Sequence, residues 1–153
     1  MRNIWNDLEG DYYRLEKLEK NDIDKAEKFF GVKLPEEYKE LLNLQNGGTL
    51  KFPALPVNFT SDTIGNDGFV FIEYLNGVKE NHGVYESTEA LKDWGITEEN
   101  LVVLSGNGHT WIVLDYRKSS DNPVITYIEV EEERMEIIAN SFKEMIEKLF
   151  EPA

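Results

Sequence analysis

The chain has 153 residues and carries 16 Lys and Arg against 30 Asp and Glu, a formal charge of −14 at neutral pH. That length predicts one domain spanning residues 1–153, and its 41% hydrophobic content supports a real core. Zero cysteines exclude disulfides, thiolate nucleophiles and Cys-ligated metal, while the acidity disfavours direct nucleic-acid binding, which is built on Lys and Arg meeting phosphates.

No apolar run approaches the roughly 20 residues of a membrane span. The N-terminus turns acidic at Asp7 without an apolar leader, so a cytoplasmic protein is expected. The negative field would attract a basic protein and speed its encounter.

In chain order, Ile4, Trp5, Leu8, Tyr12, Leu15 and Leu18 recur at spacings of three and four, which predicts a helix broken near Gly10. Asn21-Asp22 offers a cap for a second helix with Ile23, Ala26, Phe29 and Phe30 on its apolar face and Gly31 as its stop. Leu34-Pro35-Glu36-Glu37 opens a third, whose face is Tyr38, Leu41, Leu42 and Gln45 and whose end is Asn46-Gly47-Gly48.

The period then changes. Thr49 to Phe59, with Pro53 and Pro56, suits an edge or loop, and Gly68 to Leu75 reads as a strand. Asn76-Gly77 signals a turn and Val84 to Glu86 a short return strand. Ser87-Thr88-Glu89 caps a short helix that runs to Trp94 and stops at Gly95. Leu101 to Leu104, the turn Ser105-Gly106-Asn107-Gly108 and His109 to Tyr116 form the strongest hairpin signal. Val124 to Val130 alternates as a further strand, the acids Glu129, Glu131, Glu132, Glu133 and Glu136 read as a solvated strand end and loop, and Ser141 with Glu144 opens a last helix.

Helices, then antiparallel strands, then a closing helix predict a single α+β domain with a mostly antiparallel sheet. Chemistry-bearing signals are sparse. His82 and His109 lack metal-ligand spacing. The glycine turn has no Lys-Ser/Thr and opens no helix, so it is not a phosphate loop. Asp115 ends an apolar strand and is expected to bond the next turn's amides. No metal, cofactor or catalytic role is assigned.

Glu27, Gly31, Leu34-Pro35, Tyr38, Leu41-Leu42 and Asn46-Gly47-Gly48 together resemble the N-terminal signature of the SUKH superfamily. Leu104 to Asp115, with its glycine turn and Trp111, is similar to that family's central hairpin, and Phe142 to Phe150 to its last helix. The resemblance implies an α+β fold without catalysis. Bacterial relatives bind and neutralise toxins, and this chain looks most like immunity partners of LXG-type toxins of Gram-positive bacteria, some of which carry RNase domains. On that footing an acidic inhibitor occludes a basic toxin cleft. Its partner-binding acids are Asp62, Asp67, Glu73, Glu129, Glu131 and Glu132. A regulatory adaptor like the fungal branch, or a small hydrolase using Asp115 or His109, are the alternatives.

Overall fold

The helix predicted from the Ile4 to Leu18 spacing does not form. In the computed structural model, which describes residues 1–153, Trp5 instead makes a lone antiparallel bridge with Leu50, and its indole N–H donates to the Leu41 carbonyl at 2.9 Å. Gly10 sits at φ 70°. The Asp11 carboxylate then accepts from the Tyr13 N–H at 3.1 Å and the Thr49 N–H at 2.7 Å. Ile4 and Trp5 are buried, Leu15 and Leu18 partly so, while Leu8 and Tyr12 stay exposed; the anchors at Trp5 and Asp11 outweigh local helix propensity.

The four helices and ten strands follow in order. Helices α1 (Asp22–Phe30) and α2 (Glu36–Leu44) lead into short strands β1 (Gly48–Thr49), β2 (Ala54–Pro56), β3 (Phe69–Phe71), β4 (Tyr74–Leu75), β5 (Val78–Lys79) and β6 (His82–Gly83). Helix α3 (Val84–Asp93) precedes β7 (Leu101–Gly106), β8 (Thr110–Asp115), β9 (Val124–Glu129) and β10 (Arg134–Ala139), and α4 (Phe142–Lys148) closes the set.

Helix α1 ends at Gly31 in the left-handed conformation, whose N–H returns to the Glu27 carbonyl. Its start differs from the prediction: the Asn21 side chain caps nothing, and Asp22 accepts the Glu19 N–H at 2.7 Å and pairs with Lys79 at 3.1 Å. Only Ala26 of the expected apolar face is fully buried; Phe29 is 70% exposed. Glu27 accepts the Leu34 N–H at 2.7 Å and pairs with Lys39, tying α1 to α2.

The stretch read as one strand from Gly68 to Leu75 divides. β3 pairs with β2 and β4 with β1: the Ile72 N–H bonds the Pro53 carbonyl at 2.6 Å and the Leu50 N–H bonds the Glu73 carbonyl at 2.9 Å, so Lys51 and Phe52 bulge out between the two pairings. Val84 to Glu86 begins α3 rather than a return strand. The hydroxyls of Ser87 and Thr88, expected as caps, instead accept from the Asn76 amide and the Val103 N–H, each at 2.9 Å, tying α3 to the turn after β4 and to β7.

The body of the protein is the antiparallel sheet β10-β9-β8-β7. β7 and β8 read as near-continuous apolar runs because both faces are covered. Val102, Leu104, Ile112, Leu114, Ile125 and Tyr127 enter the main core with Tyr38, Leu41, Phe142 and Met145 from α2 and α4. Leu101, Val103, Trp111, Val113 and Ile128 face the other way and meet Leu91 of α3. Strand β10 falls where a solvated loop was expected. A tight turn with Glu133 at φ 51° returns the chain along β9, pairing Arg134 with Glu129 and Glu136 with Tyr127. Charged residues and a bulge between Ile137 and Ala139 are what an edge strand tolerates. α4 starts as predicted, the Glu144 N–H donating to the Ser141 hydroxyl at 3.0 Å.

No helix is long and apolar enough to cross a membrane.

Candidate protein-docking face

Tyr127 and Glu129 are two positions apart on β9 and point to the same side of the sheet. The loop from Phe59 to Asp67 folds over them. The Phe59 ring lies 5.9 Å from Tyr127, Arg134 stacks over Phe59 at 5.1 Å, and the Arg134 guanidinium donates to the Thr60 carbonyl at 2.7 Å. Beneath the loop, the hydroxyls of Ser61 and Tyr127 donate to Glu129 Oε1 at 2.5 and 2.6 Å.

Glu129 is therefore 2% exposed. Burial alone would raise its pKa, but the Ser61 and Tyr127 hydroxyls favour the charged form and hold it below the usual carboxylate range. This corrects its place among the partner-binding acids: a carboxylate enclosed under a loop cannot touch another protein's surface, and it fastens the loop instead. Glu132, beside it, is pushed upward, chiefly by Glu129, and accepts the Asp62 N–H at 3.4 Å.

Asp62, Glu129 and Glu132 are thus brought together by the loop, with Asp62 and Glu132 outside it. Glu131 turns toward the β7–β8 hairpin and pairs with His109 Nδ1, whose ring meets Trp94 edge-on at 5.0 Å. His109 first, then the backbone, lowers the Glu131 pKa. The hairpin tip is itself rigid, since the Asn107 side chain accepts the His109 and Thr110 N–H groups at 3.0 and 2.9 Å. Asp67 is exposed at the end of the loop.

Glu73 stands apart from these acids, on the bend between β3 and β4. It borders a recess of about 80 Å³ shared with Phe71, Tyr74, Thr110, Ile112 and Tyr127. Ligand pockets run to about 300–1,000 Å³, so this recess suits the tip of one side chain. Among its neighbours, Phe71 is 64% exposed. Tyr74 stacks on Tyr13 at 3.7 Å, and Tyr12, 89% exposed, meets Tyr13 edge-on. These aromatics escape sequence reading, because a helical stripe and a strand pattern both assign them to the interior.

The residues weighed for catalysis lie apart. Asp115 ends β8 opposite its Thr110 end, its carboxylate engaged by Arg117 at 2.8 Å and Thr126 at 2.7 Å, and it accepts the Arg117 N–H as its sequence context predicts. His82 is on the β5–β6 hairpin. No group of three or more His, Asp or Glu residues is placed to hold a metal ion.

Burial opposes charge on Asp115, but the Arg117 and Thr126 bonds prevail and its pKa falls below the ordinary value. With the folded value the lower one, the stabilisation is complete above the unfolded pKa of about 3.9 and is lost as pH falls through the folded value. Asp115→Asn is therefore expected to lose stability at neutral pH and to show a shallower decline between about pH 4 and pH 2, read from urea midpoints across that range. Parallel profiles for the two proteins would refute this role.

Residues 17–148, from before α1 to the end of α4, match the model of the SMI1 / KNR4 family (SUKH-1). No curated protein matches the chain.

Proposed function

The chain belongs to the SMI1 / KNR4 family (SUKH-1), and from that premise we propose that it is an immunity protein that binds a basic toxin domain and closes its active-site cleft. The toxin is of the LXG type, with a nuclease domain, an RNase foremost. Such an enzyme needs a cationic groove for its phosphate substrate, and a rigid polyanionic surface competes for the same field.

The observation that carries this reading is the set of exposed carboxylates held on fixed elements. Asp62, Asp67, Glu131 and Glu132 stand on the loop and strand end fastened by Glu129, and Glu73 stands across the recess. The cation among them, Arg134, is consumed by Glu136 at 3.0 Å and by the Thr60 carbonyl. The chain performs no reaction in this account. Asp115 and His109, the residues a hydrolase would need, sit at opposite ends of β8 or beyond it and are each bonded elsewhere.

Co-expression with each candidate toxin encoded beside its gene tests the proposal. Restored growth against one of them is expected. Unchanged killing by every neighbouring toxin rejects it, and a pull-down yielding many unrelated clients would favour the adaptor alternative.

A further inference from the structure

The segment that was expected to be a helix is a display loop. Trp5 anchors one side of it on Leu41 and Leu50. Asp11 anchors the middle through the Tyr13 and Thr49 N–H groups, and the Leu15 N–H closes it on the Asn46 carbonyl at 2.9 Å. Between those anchors Tyr12 is held out at 89% exposure. A tyrosine so presented on a fixed backbone loses little entropy on binding, the property that enriches Tyr at interface anchors.

Tyr12 does not stand alone. It meets Tyr13, Tyr13 stacks on Tyr74, and Tyr74 shares its recess with Phe71 and Glu73. The Tyr74 hydroxyl donates to the Gly106 carbonyl at 2.7 Å and accepts the Gly106 N–H at 3.0 Å, so the stack is fixed to the hairpin. Glu73 borders the same recess as Tyr74, the inner ring of the stack. Glu73 is exposed and makes no ion pair, and the neighbouring Arg14 is engaged by Asp7 at 3.3 Å. Open aromatic faces beside an unpaired carboxylate match a guanidinium, which is planar, stacks on rings and bonds carboxylates with a two-pronged fork. An ammonium offers the charge without the plane.

We infer that the recess bordered by Phe71, Glu73 and Tyr74, with Tyr12 joined to Tyr74 through Tyr13, is a docking notch for an arginine side chain of the protein partner. The inference rests on the immunity reading and adds to it where one specific contact is made.

The test titrates the ¹⁵N-labelled full chain with a tri-arginine peptide and a tri-lysine peptide of equal charge. Amide shifts are expected at Tyr12, Tyr13, Phe71, Glu73 and Tyr74, with tri-arginine bound at least about threefold more tightly. Tyr12→Ala with Phe71→Ala, and separately Glu73→Gln, is expected to weaken tri-arginine about tenfold and to erase the preference. Glu73→Gln and Tyr12→Ala alone, both at exposed positions, guard against misfolding as the cause. Equal affinity for the two peptides, or shifts confined to Asp62, Glu131 and Glu132 and indifferent to these variants, overturns the inference. Loss of protection on reversing those three acids, with no effect of the aromatic variants on peptide or toxin, removes the notch and leaves the immunity reading intact. Arginine preference that depends on the notch, in a chain that rescues no neighbouring toxin, does the reverse.

Discussion

Gly77→Ala is expected to destabilise the protein by about 4 kcal/mol or more, among the largest effects of any single substitution. The Asn46-Gly47-Gly48 and Asn76-Gly77 pairs, which read in sequence as a helix stop and a turn, cross with their backbones in contact. A Cβ on Gly77 would overlap the main-chain carbonyl of Asn46, and one on Gly47 would overlap the Gly77 backbone. Neither side can yield. Asn46 donates to the Glu16 and Val78 carbonyls at 2.9 and 3.0 Å and accepts the Val78 N–H at 2.8 Å. On the other strand, the Tyr38 hydroxyl donates to the Asn76 carbonyl and the Asn76 N–H to Leu104. Gly10→Ala is the comparison: its φ of 70° makes a side chain strained, but nothing lies within 4 Å, and a loss of about 1 kcal/mol is expected. Urea midpoints of the two variants decide it. A Gly77 variant no weaker than the Gly10 variant would show that the crossing is loose.

The second large effect concerns binding. Reversing the charge of Asp62, Glu131 and Glu132 to lysine is expected to weaken toxin binding about a hundredfold, near 2.7 kcal/mol. Much of that loss belongs to the association rate, since steering acts on encounter, and the difference should shrink as salt is added. Reversal of Glu40, Glu89 and Glu147, exposed on α2, α3 and α4, changes the net charge equally. It is expected to cost far less. Similar losses in both sets would mean that total charge acts, with no particular face involved.

Local chemistry was legible wherever it alone decides the backbone. Gly31, Pro35 and Ser141 mark helix ends because a left-handed residue, a missing amide or a hydroxyl cap needs no distant partner. The glycine turn between β7 and β8 is of the same kind. The Ile4 to Leu18 stripe misled because Trp5 and Leu15 are claimed by Leu41, Leu50 and Asn46, all far along the chain, while Leu8 and Tyr12 stay exposed. β10 was hidden by Glu131 to Glu133 in the turn before it and by Glu136 within it, on an edge that faces water. The exposure of Asp62, Asp67, Glu73, Glu131 and Glu132 was legible from residue type alone. The burial of Glu129 was not, because it depends on Ser61, 68 positions away. Its same-face spacing to Tyr127 was the one local hint. Exposure of Tyr12 and Phe71 is a tertiary outcome, and no residue pattern records it.

The most direct measurement is a titration of the purified toxin's catalytic activity with this protein. Activity is expected to fall in proportion to added protein and to be abolished at one molecule per toxin, with tighter inhibition at low salt. Full toxin activity in the presence of excess protein, for every toxin encoded beside its gene, would contradict it.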